Sequence, residues 1–295
     1  MFLLNRRNFL ELAAGTAAAT AFAGSSVALA DGHASADVFT ADPFGGLVDS
    51  VVVAGEDKML LIDAQFTVPN AERLADVLAA TGKELETIFI THYHPDHHFG
   101  LSVLMDRFPS AKPLAHASVV SLIELTGEAI RAARAEAFPA GTMPDRVVIP
   151  EALAGDQLTL EGERFDVLAP MHGDTDIITP VHMPQLDTLV ASDMVYTDTH
   201  VWVTENLTPE RMDLWRENLT ALENLDVGTL VPGHRTETSM NDASGIAHTR
   251  RYLEAWEAAL ADTSTADDLK ASMLERVGEL PGGFFLDFAV SAAHG

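Results

Sequence analysis

The sequence predicts a mixed α/β fold in which two sheets are faced by helices. Short apolar runs of strand length alternate with longer segments of helical period, and this alternation occurs twice along the chain. Apolar residues make up 47% of the 295 positions, ample for a buried core. No short-period repeat and no linker of domain-boundary length interrupts the pattern, so residues 31–295 read as a single domain.

Asp49 to Val53 and Met59 to Ile62 have the apolar density of buried strands, and Asn70 to Ala80 reads as a helix opened by Pro69-Asn70. Thr87 to Ile90 is a compact strand that runs directly into a histidine cluster. Ser118 to Ala137 is helical by period, and Leu158–Leu160 with Phe165–Leu168 form a hairpin pattern around Glu161-Gly162-Glu163. Ile178 to Val181 and Thr188 to Ala191 add two strands, the second ending at Ser192-Asp193. Thr208-Pro209 supplies a helix N-cap and first-turn proline. Met212, Trp215, Leu219 and Leu222 follow at spacings of 3, 4 and 3, a core-packing stripe. Leu230-Val231 is a last short strand ending at Pro232-Gly233-His234, and Ile246–Leu260 with Ala266–Val277 make C-terminal helices.

Residues 1–30 read as a targeting segment. Arg6-Arg7 precedes an uncharged run from Leu12 to Ala30 that closes on Ala28-Leu29-Ala30, a small-x-small cleavage signal. Gly15, Thr16, Thr20, Gly24, Ser25 and Ser26 make the run less apolar than a spanning helix, so removal is expected rather than a stable membrane anchor. The pattern resembles a twin-arginine export signal, which implies a bacterial periplasmic location and favours a protein that folds around a cofactor. The mature chain would keep 16 basic and 43 acidic residues, a charge of −27. A nucleic-acid partner held by a basic stripe is therefore excluded. With no cysteine, so are disulfides, thiolate metal sites and a thiol nucleophile.

The chemistry concentrates in Thr91-His92-Tyr93-His94-Pro95-Asp96-His97-His98, where four histidines and a carboxylate follow a buried strand. Histidines at i and i+2 can chelate one cation, while Asp96 and His97 can face a second. Further donors are expected at other strand ends, where His172, Asp193 and His234 lie; intervals of 75, 21 and 41 residues separate His97, His172, Asp193 and His234.

This HxHxDH motif, followed by a distant His, an Asp and a final His, resembles the metallo-β-lactamase superfamily across essentially the whole mature chain. The resemblance implies an αββα four-layer sandwich with metals at one edge of its sheets. It implies His92, His94 and His172 as ligands of one metal, Asp96, His97 and His234 as ligands of the other, and Asp193 as the bridging carboxylate. His182 is the rival to His172, but it lies 11 residues before Asp193 in an apparent strand. Asp63 matches the family's acidic residue at a strand end and would orient a ligand; its other reading is a strand-terminating turn. The chain departs from the family at Phe99, where a Gly-Gly pair usually begins, and at His172, which is followed by Gly173-Asp174-Thr175 instead of being preceded by glycine.

Such donors suit two Zn²⁺, with Mn²⁺, Fe²⁺ or Co²⁺ as alternatives. Bound cations would bring the pKa of a shared water to about 7, providing hydroxide as nucleophile, with Asp96 or Asp193 accepting the proton. The expected activity is a hydrolase acting on a carboxylic ester, lactone or related acyl group. A β-lactam, or mono-iron chemistry of the persulfide-oxidising kind, is the alternative. The acidic composition favours a small neutral or apolar substrate. Tyr93, His98, His200 and Trp202 are candidates for the substrate pocket, as are Phe284 and Phe285, and Tyr196 for assisting an oxyanion. Homodimers are common in the family.

Overall fold

The computed structural model describes residues 34–294; the export-signal expectation over residues 1–30 lies outside them. The described residues divide into two compact units, 34–167 with 181–186, and 168–180 with 187–294.

Unit 1 is built on a six-stranded sheet. Its strands are β1 (Ser35–Thr40), β2 (Asp49–Ala54), β3 (Lys58–Ile62), β4 (Glu84–Ile90), β5 (Lys112–Ala115) and β6 (Glu151–Ala152), arranged in that order. The first three pair antiparallel, whereas β3 to β6 run parallel. Parallel neighbours need crossovers. These contain α1 (Val68–Ala80), the short α2 (Pro95–His98) with α3 (Leu101–Arg107), and α4 (Ala117–Ala137). Thr67 caps α1 by accepting from the Asn70 amide. Because β3 and β4 are parallel, with Ile62 opposite Phe89, both deliver their C-terminal residues to one sheet edge. That edge carries Asp63 and Thr91. Three more strands, β7 (Gln157–Leu160), β8 (Glu163–Val167) and β9 (Val181–Met183), complete the unit as an antiparallel meander.

Unit 2 holds β10 (Thr188–Thr197) and β11 (Thr229–Arg235), paired in parallel, with α5 (Pro209–Glu223), α6 (Ser244–Asp262), α7 (Ala266–Val277) and α8 (Gly283–His294). Every residue of β10 is buried, which a strand covered on both faces requires. Met212, Trp215, Leu219 and Leu222 of α5 point into this core, and the Trp215 indole donates to the Met194 carbonyl at 2.9 Å. From α6, the Thr249 hydroxyl accepts the Tyr196 amide at 3.0 Å, tying the end of β10 to the helix.

Several elements differ from expectation for physical reasons. The strand expected over Ile178–Val181 begins only at Val181: Pro180 has no N–H to donate, and Ile178 forms just an isolated bridge to Met171. β10 continues six residues beyond Ala191, so Asp193 lies within it, at shifts of register between Val190, Ser192 and Tyr196. β11 likewise runs through Pro232-Gly233-His234, with Pro232 accommodated opposite the shifted Ser192. β1, β5, β6, α2, α3 and α8 were not among the expected elements. Among the described residues, no helix is long and apolar enough to cross a membrane.

His200 lies in the core of unit 2, its Nδ1 3.0 Å from the Tyr252 hydroxyl and its amide donating to the Pro281 carbonyl. Burial pushes its imidazole down from 6.5 to about 4. A depressed histidine pKa costs nothing above the unfolded value; as pH falls from 6.5 toward 4, the unfolded chain takes the proton and the native chain does not. Stability should therefore drop across that window. The fall in urea midpoint between about pH 7.5 and pH 5 should shrink in His200→Gln; an equal fall in both proteins would contradict the assignment.

Candidate metal centre

In unit 1 the site begins with Asp63, which follows β3 in a left-handed conformation at φ 62°. Its amide donates to the Phe89 carbonyl at 2.9 Å, which turns the buried carboxylate toward the end of β4. One carboxylate oxygen accepts the Thr91 amide at 2.9 Å. The other receives the Thr91 hydroxyl and His97 Nδ1, both at 2.8 Å. A carboxylate accepts only, so His97 Nδ1 carries a proton, and in the neutral ring Nε2 holds the lone pair. The Thr91 hydroxyl spends its proton on Asp63 and sits 3.1 Å from His92 Nδ1, which must then donate to it. His92 is thus fixed in the same tautomer as His97.

The imidazoles of this loop gather closely. His92 has ring centroids 4.8 Å from His94 and 4.1 Å from His97, and all three rings are buried. Ring nitrogens of His92 and His94 lie within 4.8 Å of each other, as do donor atoms of Asp96 and His97. In their neutral form such imidazoles, beside a carboxylate, are the donor set of a divalent cation. Asp96 is half-buried in the first turn of α2. Burial lowers the pKa of the Arg134 guanidinium on α4, an effect that the charge of Asp96 opposes.

Behind the motif lies an aromatic cluster. Phe99 is buried with Phe138 and Met143, and Phe66 packs 6.0 Å from Phe99 and 5.2 Å edge-on to Phe138, beside Phe44. The position where the family has its first glycine is thereby filled by core. The second glycine remains because a Cβ on Gly100 would lie 1.8 Å from the Ala64 carbonyl oxygen. His98 is buried edge-on to Phe99, and burial pushes its imidazole down to about 3, so it is neutral. Tyr93 is half-buried against the His94 ring, 5.0 Å away.

Unit 2 gathers a second set around Tyr196. Its hydroxyl lies 2.9 Å from Asp174 Oδ2 and 3.0 Å from Asp193 Oδ2, and Asp193 Oδ2 is 3.2 Å from His234 Nε2. The Tyr196 and His234 rings stack at 5.0 Å with 9° between planes, and Phe285 meets both edge-on. Carboxylate oxygens of Asp174 and Asp193 lie within 4.8 Å of each other, both buried. Tyr196 thus binds carboxylates deep in the unit. Trp202 packs on Phe285 and Phe288, while His200 bonds Tyr252.

The structure places His172 differently from the ligand role that the motif order implies. Its Nε2 lies 2.7 Å from Asn206 Oδ1 and its Nδ1 3.1 Å from Asp176 Oδ1, so both nitrogens face oxygen acceptors. The Asn206 amide nitrogen meanwhile donates to the carbonyls of Gly173 and Asp174, holding this turn. The group beside Asp193 is Asp174, whose amide donates to the Asp193 carbonyl at 3.2 Å. A signal for it was present in the sequence: Asp174 has the preceding glycine that His172 lacks. That glycine is required, since a Cβ on Gly173 would come 2.6 Å from Ile178 and 3.1 Å from the Asp193 carbonyl oxygen. The rival His182 is half-buried in β9, with its residue paired opposite Asp166.

If Asp63 fixes the His97 tautomer, Asp63→Asn should weaken binding of a divalent cation about 10- to 100-fold, as titration against a chromophoric chelator would show. An unchanged affinity would reduce Asp63 to a turn residue.

The sequence profile of the metallo-β-lactamase superfamily matches residues 43–234. Among solved structures, a metallo-β-lactamase from Pontibacter korlensis is similar, with 17% identity and a TM-score of 0.57 over 78% of this chain and 99% of that one. A metallo-β-lactamase family protein from Thermus thermophilus has 20% identity and a TM-score of 0.59 over 88% of this chain and 91% of its own. No curated protein matches the chain. The mixed α/β fold with its strands in two sheets, expected from the sequence, is the fold observed. Its profile match spans well over half of its length, and the chain belongs to the metallo-β-lactamase superfamily.

Proposed function

We propose that the chain is a binuclear metal-dependent hydrolase of a small, uncharged or apolar acyl substrate, a carboxylic ester or lactone ahead of a β-lactam. The observation that carries this reading is the pair of buried imidazoles, His92 and His97, whose Nδ1 atoms are committed to Thr91 and Asp63. By the family's motif order His94, Asp96, Asp193 and His234 would be the further donors of the proposed centre, and Asp174 would take the place expected of His172. Divalent cations on such donors act as Lewis acids and make hydroxide available near neutral pH.

The chain's own residues divide the remaining work. Asp63 holds the His97 ring, and through Thr91 the His92 ring, in the metal-binding tautomer. Tyr196 holds the Asp174 and Asp193 carboxylates, a positioning role in place of the oxyanion role expected from sequence. Asp96 or Asp193 would accept the proton of an attacking water. A net charge of −26 suits an uncharged or apolar acyl group better than a polyanion. Export to the periplasm is part of the proposal, supported by Arg6-Arg7 and Ala28-Leu29-Ala30.

Metal content of the purified mature protein, measured beside hydrolysis of aryl esters, lactones, cephalosporins and phosphodiesters before and after chelation, tests the reading. Two metal equivalents and chelator-sensitive cleavage of an ester or lactone are expected. A single iron with no hydrolysis would overturn the proposal in favour of oxidative sulfur chemistry.

A further inference from the structure

Metal preference depends on whether the donor at each position is nitrogen or oxygen. Carboxylates suit oxygen-seeking ions such as Mn²⁺ and Mg²⁺, whereas imidazole suits Zn²⁺, Cu²⁺ and Ni²⁺. The motif order implies two histidines and one carboxylate from the second half of the chain. Unit 2 instead assembles two carboxylates, Asp174 and Asp193, with one imidazole, His234.

His172 cannot restore the missing nitrogen without dismantling its surroundings. Turning its ring would break the contacts to Asn206 and Asp176. Asn206 is itself fixed by donating to the successive Gly173 and Asp174 carbonyls. The His172 carbonyl is also held, accepting from Asn218 Nδ2 at 2.9 Å. Asp174 and Asp193, in contrast, are buried carboxylates whose near oxygens converge on one hydroxyl. Tyr196 has one proton and can donate to only one of them at a time. Two buried carboxylates this close are held together by a shared proton or by a shared cation.

We infer that Asp174 is a metal ligand that moves the selectivity of this centre away from Zn²⁺ toward oxygen-preferring divalent ions, Mn²⁺ foremost. The inference rests on the hydrolase reading for the existence of the centre, and it adds which ion the chain's own donors favour. Mn²⁺ need not bind more tightly than Zn²⁺ in absolute terms, because the general affinity order opposes that. What shifts is the ratio of the two affinities.

The test is competition of Zn²⁺ and Mn²⁺ with a chromophoric chelator for metal-stripped protein, which reads binding without any turnover. Asp174→His should raise the Zn²⁺-to-Mn²⁺ affinity ratio at least about tenfold. Asp174→Asn, closer in shape and a safeguard should the histidine variant misfold, should weaken Mn²⁺ more than Zn²⁺. His172→Asn should leave the ratio unchanged. The inference is overturned if Asp174→Asn and Asp174→His keep the wild-type ratio, or if His172→Asn shifts it as much as they do. Should the wild-type protein bind neither ion, the hydrolase reading falls as well; metal binding with an unmoved ratio removes only the assignment of Asp174.

Discussion

A carboxylate buried at the end of a strand must have its lone pairs satisfied, and Asp63 meets that demand with the residues that form the histidine motif. Thr91 gives it an amide and a hydroxyl, and His97 gives it Nδ1–H. The left-handed backbone at Asp63 is uncommon for a non-glycine residue, and its reward is the direction in which the carboxylate points. Because β3 and β4 are parallel neighbours, the demand is met across a single strand spacing. The orientation of two imidazoles thus follows from sheet pairing and from the refusal of a buried anion to remain unsolvated.

Unit 2 solves a similar problem with a different device. Shifts of register along β10 and β11 bring Asp193, Tyr196 and His234 into one group, and α6 anchors the Tyr196 backbone through Thr249. Tyr196 then presents its hydroxyl to two carboxylates while its ring stacks on His234. In both units a donor expected to hold metal is held by a neighbour that is not itself assigned to the metal. Such support fixes geometry before any cation arrives, which lowers the ordering cost of binding.

Much of this was legible in the sequence because its signals are local. Ala266–Val277 is the observed extent of α7, and the Met212–Trp215–Leu219–Leu222 stripe is buried as its period requires. The histidine loop after β4 was visible as a dense motif. Less legible were elements set by pairing instead of period. The two-residue β6 exists only through its partner β5, and Ile178 reads as strand until Pro180 is weighed as a missing donor. The continuation of β10 past Ser192 was obscured because Ser192-Asp193 looks like an exit from the sheet, whereas Ser192 takes a left-handed conformation at φ 50° inside a continuing strand. Asp174 was missed for a chemical reason. A histidine stood two residues away, and residue type outweighed the glycine spacing that Gly173 preserves against its neighbours.

The central claim, that the chain builds a metal centre in which Asp174 replaces an imidazole, is tested most directly by anomalous diffraction from crystals loaded with Mn²⁺. The account predicts anomalous peaks with an Asp174 carboxylate oxygen in bonding distance of one of them and the His172 ring bonded to none. A peak bonded to a His172 nitrogen, with Asp174 turned away from both ions, would contradict it.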